Sequence, residues 1–270
     1  MILGIDVGGT KTLLGLFNNE GNLERTKRTL TNDLYDDFIT TLSAEIPSFL
    51  GRDDVDAISI GMPGSIDRTK GSVIAMGHRP WKNCNIVDDL RSKLMFKKPV
   101  FLENDAKLAG LAEAQVYKDM KTIVYVTIST GINTAILIDG ILEPSFIGDE
   151  GGFMLVPHEG KLQFWDTIAS GRAFKERFGV LASETNDPAI WKEHCQVLAP
   201  GFSAIRALLT PDLIITGGGL GIQLEKFREP LLEILSIPGS PNSQMPEFVA
   251  AKYGDNSVMQ GCYTLATLDK

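Results

Sequence analysis

Cysteine is scarce in this chain of 270 residues: Cys84, Cys195 and Cys262 are odd in number and far apart. Such spacing builds neither a disulfide framework nor a CxxC metal or redox motif from sequence neighbours, so a reducing, cytoplasmic setting is expected. Basic residues are in deficit, 26 against 34 acidic ones, for a net charge of −8 and a pI near 5.0. That surface is poorly suited to neutralising phosphate backbones, and no nucleic-acid partner is expected. Long apolar runs are missing: nothing approaches the roughly 18 residues of a membrane span, so no membrane partner is expected either. The opening MILGIDVGGT lacks a basic n-region and carries Asp6, which argues against a secretion signal. There is no low-complexity tract, short-period repeat or Pro/Ser-rich linker.

What is present is a globular composition, 43% hydrophobic and 22% charged, long enough for one large domain or two packed lobes. The apolar runs 2–7 and 13–17 predict two strands joined by a tight turn at Gly8-Gly9. Leu34, Phe38, Leu42, Ile46 and Phe49, three and four apart, predict a helix over 33–50, and 56–61 alternates like a strand. A short strand at 99–102 and a helix at 104–117 follow, with a loop at 103–105. Two further strands, 122–128 and 134–138, flank Ser129-Thr130-Gly131. Helices at 163–178, 187–208 and 223–235, and a strand at 213–216 before Gly217-Gly218-Gly219, complete the pattern. A strand running into glycine thus occurs three times, and each can aim backbone amides at a phosphate. Two hairpin-led halves imply two related α/β lobes with a ligand cleft between them.

Asp6-Val7-Gly8-Gly9-Thr10-Lys11 sets an acid at a strand end beside two glycines, a hydroxyl and a cation. That set suits a nucleotide's terminal phosphates, with Asp6 holding Mg²⁺ directly or through water; a solvated hairpin turn is the other reading. Glu103-Asn104-Asp105-Ala106 offers a carboxylate to accept the proton that a hydroxyl loses as it attacks phosphorus. Asn104 as a helix cap and Asp105 as a first-turn acid is the structural reading of the same residues.

The order of Asp6 to Lys11, Gly61-Met62-Pro63-Gly64, Trp81, Glu103-Asn104-Asp105-Ala106, Thr130-Gly131, Ala169-Ser170-Gly171 and Gly217-Gly218-Gly219 closely resembles the ROK family. That family comprises bacterial sugar kinases and sugar-responsive repressors of the actin-like, ribonuclease-H-like ATPase superfamily, and the likeness runs over nearly the whole chain. The resemblance implies an α/β fold of two ribonuclease-H-like lobes with mixed sheets flanked by helices. The small lobe would take residues 1–108 and a closing helix at 254–270, the large lobe 109–253. It implies phosphoryl transfer from ATP to a hexose-like sugar, with Asp105 as general base and Asn104 and Gly64 at the sugar. Gly8, Gly9, Thr10 and Lys11 would lie near the β- and γ-phosphates, Thr130 and Gly131 would form a second phosphate loop, and Gly217, Gly218 and Gly219 would border the adenosine. Asp6 would help hold Mg²⁺, and the family's frequent dimers make a homodimer an expectation.

The chain also departs from the family. Many members carry Glu-x-Gly-His before a cysteine-rich zinc motif whose last Glu contacts the sugar. Here Asp149 and Gly152 stand where Glu and His are usual, no cysteine lies in 153–169, and Asp166 takes the place of the second sugar carboxylate. His158 alone makes no four-ligand cage and reads as a loop histidine, so no zinc site is expected. Asp149, Glu150 and Asp166 are the carried-over sugar carboxylates, though an Asp falls about 1.5 Å short of a Glu. Where the family often reads Gly-Thr-Gly-x-Gly-Gly-Gly, this chain reads Ser129-Thr130-Gly131-Ile132-Asn133-Thr134-Ala135 and loses several glycines of the second phosphate loop. A start at Asp6 leaves no room for a DNA-binding head, which disfavours the repressor reading. The leading expectation is an ATP-dependent hexose kinase; the alternative is a non-catalytic or weakly active sugar-binding or regulatory protein. Trp165 and Trp191 read as packing residues and Trp81 as a partial cover of the sugar cleft. His78 and His194 have no sequence neighbour that marks them as catalytic, and the cysteines read as buried or half-buried thiols.

Overall fold

The computed structural model describes residues 1–77, 79–236 and 245–268; His78 lies outside them. The chain divides into two compact units, Met1–Ala112 with Val258–Lys270, and Glu113–Ser257.

The first unit is built on a five-stranded sheet in the order Leu23–Leu30, Lys11–Phe17, Ile2–Val7, Ala57–Met62, Val100–Asn104. The first three strands run antiparallel as a meander, and the last two join parallel to Ile2–Val7. The central strands Ile2–Val7 and Ala57–Met62 are apolar almost throughout because both of their faces are buried. The outer strand, LERTKRTL, alternates half-buried and exposed, and its Arg and Lys side chains protect an open edge. Gly4 and Gly15 are paired across two strands, and a Cβ on either would come within about 2.6 Å of Met259 Sδ. Their missing side chains make the groove into which the helix Ser257–Thr267 sets Met259.

The second unit repeats the plan. Its sheet runs Ile141–Leu142, Ile132–Ile138, Thr122–Ile128, Leu213–Gly217, Glu247–Ala250, again antiparallel, antiparallel, parallel, parallel. The helix Pro188–Leu209 packs on it through Trp191, Leu198 and Phe202, and Trp165 stacks edge-on against Phe202 at 5.3 Å.

Several expectations change. Residues 103–105 are no loop: Glu103 and Asn104 continue the parallel ladder opposite Gly61 and Met62, and Asp105 begins the helix Asp105–Ala114. Lys161–Phe164 is a strand and not the start of a helix, since it pairs with Leu155–His158 around Glu159 and Gly160, both at positive φ. His158 therefore ends a strand. Trp81 covers no site: it is 1% exposed, packs on Phe38 at 4.6 Å, and donates its indole N–H to the Asp33 carbonyl. Trp165, Trp191, Cys195 and Cys262 are buried as expected, and Cys84 is half-buried. Among the described residues no helix is long and apolar enough to cross a membrane.

Candidate active site

In the first unit, Gly8 donates its amide to the Lys11 carbonyl at 3.0 Å and closes a turn whose tip, Gly9-Thr10, is exposed. Both tip carbonyls are tied back: Arg79 Nε donates to Gly9 O at 3.1 Å, and the Thr31 amide donates to Thr10 O at 3.1 Å. Across a planar trans peptide the N–H lies opposite the C=O, so anchoring Gly9 O turns the Thr10 amide away from Arg79. Arg79 itself pairs with Asp33, and the buried hydroxyls of Thr12 and Thr31 meet at 2.8 Å beneath the turn. A Cβ on Gly9 would touch nothing within 4 Å, so the tip is open to an incoming group.

Asp6 stands in the middle of the sheet, opposite Leu13 on one side and Gly61 on the other. Burial, and then the charge of Asp105, push its pKa up to about 7. A half-buried carboxylate next to a second carboxylate fits a divalent cation, which relieves both causes at once. Asp105 is also raised, chiefly by burial, against the pull of the Ala106 amide and of the Lys107 ammonium, itself only 2% exposed. Asn104 links three segments: Nδ2 donates to Gly64 O at 3.2 Å, and Oδ1 accepts from the amides of Ala106 and Lys107 at 3.0 and 3.3 Å. Gly64 needs to be glycine because its φ is +91° and a Cβ would lie 2.3 Å from the Ala75 carbonyl. The cap reading of Asn104 thus holds geometrically, and it leaves Asp105 in the first turn of the helix.

The second unit carries the other glycine segments. Ser129 N donates to Gly131 O at 2.8 Å and closes a turn with Thr130 exposed at its tip. Gly171 N donates to Ser129 O at 2.7 Å, and Asp166 Oδ1 accepts the Ile132 amide at 2.5 Å. The other oxygen of Asp166 meets Arg172 at 3.2 Å, so this carboxylate holds the turn in place. Asp149 accepts from Thr134 Oγ1, which in turn accepts the Gly151 amide at 3.1 Å. Glu150 is exposed. Gly152 stands against the Ile132 carbonyl, where a Cβ would come within 2.1 Å; the histidine usual in the family has no space on this backbone. Gly217 ends its strand, Gly218 has φ +75°, and Gly219 is exposed. Thr130, Gly171, Gly219 and Leu220 line a cavity of about 510 Å³ whose far wall includes Leu181 and Ala182. Arg79, Lys107, Leu181 and Arg172 were not singled out by sequence, since none belongs to a glycine-rich or acidic motif. Among the described residues no group of three or more His, Cys, Asp or Glu is placed to hold a metal ion.

Two sheets of one order, each opening on a hairpin closed by a glycine turn, define an actin-like ATPase fold. The ROK family model matches residues 2–268, and the chain belongs to that family. It is 26% identical over 306 aligned positions to an N-acetyl-D-glucosamine kinase of Citrobacter koseri, with all of both chains covered. A ROK family glucokinase of Streptomyces griseus, crystallised with glucose and AMPPNP, superposes with a TM-score of 0.78 at 22% identity over 98% of each chain. An inorganic polyphosphate/ATP-glucomannokinase of Arthrobacter sp. strain KM does so with a TM-score of 0.73 at 26% identity, covering 100% of this chain and 99% of the other.

Proposed function

We propose that this protein is a kinase that transfers the γ-phosphoryl group of ATP to a hydroxyl of a hexose or N-acetylhexosamine. The observation that carries the proposal is Asp105, a half-buried carboxylate whose pKa burial raises, fixed beside Asn104 at a strand-to-helix junction. The sugar hydroxyl gives its proton to Asp105 Oδ as its oxygen attacks the γ-phosphorus, and ADP leaves. Asn104 and the Gly64 segment orient the sugar, while Lys11 and the turn amides balance the phosphate charge. Asp6 would hold Mg²⁺, which when bound supplies charge neutralisation on the phosphates. Thr130 and Gly131 contact the phosphates, and Gly217 to Gly219 border the nucleoside. The apolar wall at Leu181, Ala182 and Leu220 suits an adenine ring and has no use for polyphosphate, which favours ATP as donor.

One observation favours the second reading, a sugar-binding protein with weak or no transfer. Asp149 and Asp166, the carried-over sugar carboxylates, are already engaged by Thr134, Ile132 and Arg172. A coupled ADP-release assay across hexoses, aminohexoses and N-acetylhexosamines, with ATP and polyphosphate as donors, separates the two. The expected result is turnover with at least one sugar, cut by orders of magnitude in Asp105→Asn while sugar binding persists. Sugar binding without turnover in folded protein would overturn the kinase reading.

A further inference from the structure

The reaction gives no role to Glu103, although it is the most enclosed acid of the Glu103-Asn104-Asp105 run, its side chain only 5% exposed. Its carboxylate is gripped by Arg68 as a fork: Nε donates to Oε2 at 2.6 Å and Nη2 to Oε1. Oε1 also accepts the Asn104 amide at 2.6 Å. A bidentate guanidinium fixes the carboxylate's plane as well as its distance, which a point charge does not. That plane then fixes the Asn104 peptide. From Asn104 the order spreads through its side chain to Gly64 and to the amides of Ala106 and Lys107, with Asp105 between them. The chain of contacts therefore runs from Arg68, on the turn after the strand Ser65–Asp67, to the proposed base.

The outer side of the same guanidinium is open. Arg68 is 29% exposed and lines a cavity of about 490 Å³ with Asn85, Asp88, Arg91 and Leu102. We infer that Arg68 is a positioning residue: through Glu103 it sets the backbone from which Asn104 and Asp105 act, and it is reachable from the cavity. This rests on the kinase reading for its effect on turnover, but not for its effect on the order of residues 103–107.

Arg68→Ala tests it, because truncation leaves a guanidinium-sized gap that opens into the cavity. The expected result is a fall in kcat of about 10- to 100-fold, as a small displacement of a catalytic group produces, with faster amide hydrogen exchange over 103–107. Methylguanidinium should restore part of both, and methylammonium, which cannot make the fork, neither. Arg68→Lys keeps the charge and loses the fork, and covers failure of Arg68→Ala to fold: a lowered kcat at unchanged melting temperature is expected, and an unchanged kcat overturns the inference. Arg68→Met with Glu103→Gln removes both charges; full turnover in that double variant would mean that the pair only stabilises the fold. Unchanged exchange over 103–107 in Arg68→Ala also overturns the inference, whether or not the wild type phosphorylates any sugar. A wild type without turnover overturns the kinase reading alone.

Discussion

Asp6 couples the stability of the first unit to pH in a direction that its own replacement reveals. Its pKa rises from 3.8 to about 7 on folding, so between those values the folded chain keeps a proton that the unfolded chain releases. Stability contributed by that bound proton is complete below pH 3.8 and is lost as pH climbs through 7. At 1.36 kcal/mol for each tenfold change in proton affinity, the loss is at most about 4 kcal/mol by pH 8, less whatever the half-exposed side of the carboxylate recovers from water. Asp6→Asn keeps the shape and cannot ionise. Urea unfolding in Mg²⁺-free buffer should therefore find the variant and wild type alike below pH 3.8 and the variant more stable by up to about 4 kcal/mol at pH 8. The same variant should lose most activity, and added Mg²⁺ should stabilise wild type at pH 8 but not the variant. A variant less stable than wild type at pH 8 would refute the reasoning.

Lys107→Met removes the cation that holds Asp105 down, so the acid limb of the kcat/KM profile should move to higher pH; an unmoved limb excludes Lys107 from tuning the base. His194 in the second unit is pushed down to about 3 by burial and by Arg177. It is neutral in the fold, so its contribution is complete above the unfolded value of 6.5 and is lost as pH falls toward 3; His194→Gln should flatten that acid loss, measured as melting temperature against pH. Gly152→Ala drives a Cβ against the Ile132 carbonyl and should cost about 1–3 kcal/mol with a matching fall in melting temperature, whereas a wild-type melt would show that the turn yields freely.

The sheets were legible where burial is two-sided. Runs such as LGIDV and IVYVTI are short, rich in β-branched residues and ended by glycine turns, which together mark them as strands. The outer strand Leu23–Leu30 was missed because an edge strand carries charges for solubility, and LERTKRTL has the composition of a loop. The loop assigned to 103–105 failed because polar residues at the end of a parallel strand look like a turn until the ladder to Gly61 and Met62 is seen. Asp6, Asn104 and Asp105 stand in short local motifs, but spacing left a hairpin turn, a helix cap and a first-turn acid open for them, and the resemblance to the ROK family gave them their roles. Arg68, Arg79 and Lys107 stand in no such motif: Arg68 meets Glu103 and Arg79 meets Gly9 only through long sequence separations, and Lys107 is distinguished by burial rather than by neighbours. Trp81 was misplaced for the same reason, its partners Phe38 and Asp33 lying over forty residues upstream.

The path of the chain sets an order on its synthesis. The first unit is left at Ala112 and rejoined at Val258, so the second unit is one continuous segment and the first is split. A domain whose contacts are all in hand can fold while translation proceeds. The Gly4–Gly15 groove cannot close until Met259 is made, which leaves an apolar seam uncovered through the making of some 240 residues. The sheet that starts the protein is thus the last to be finished on the ribosome. A stop codon in place of Val258 or Met259 would release a chain with one sound half and one sticky half.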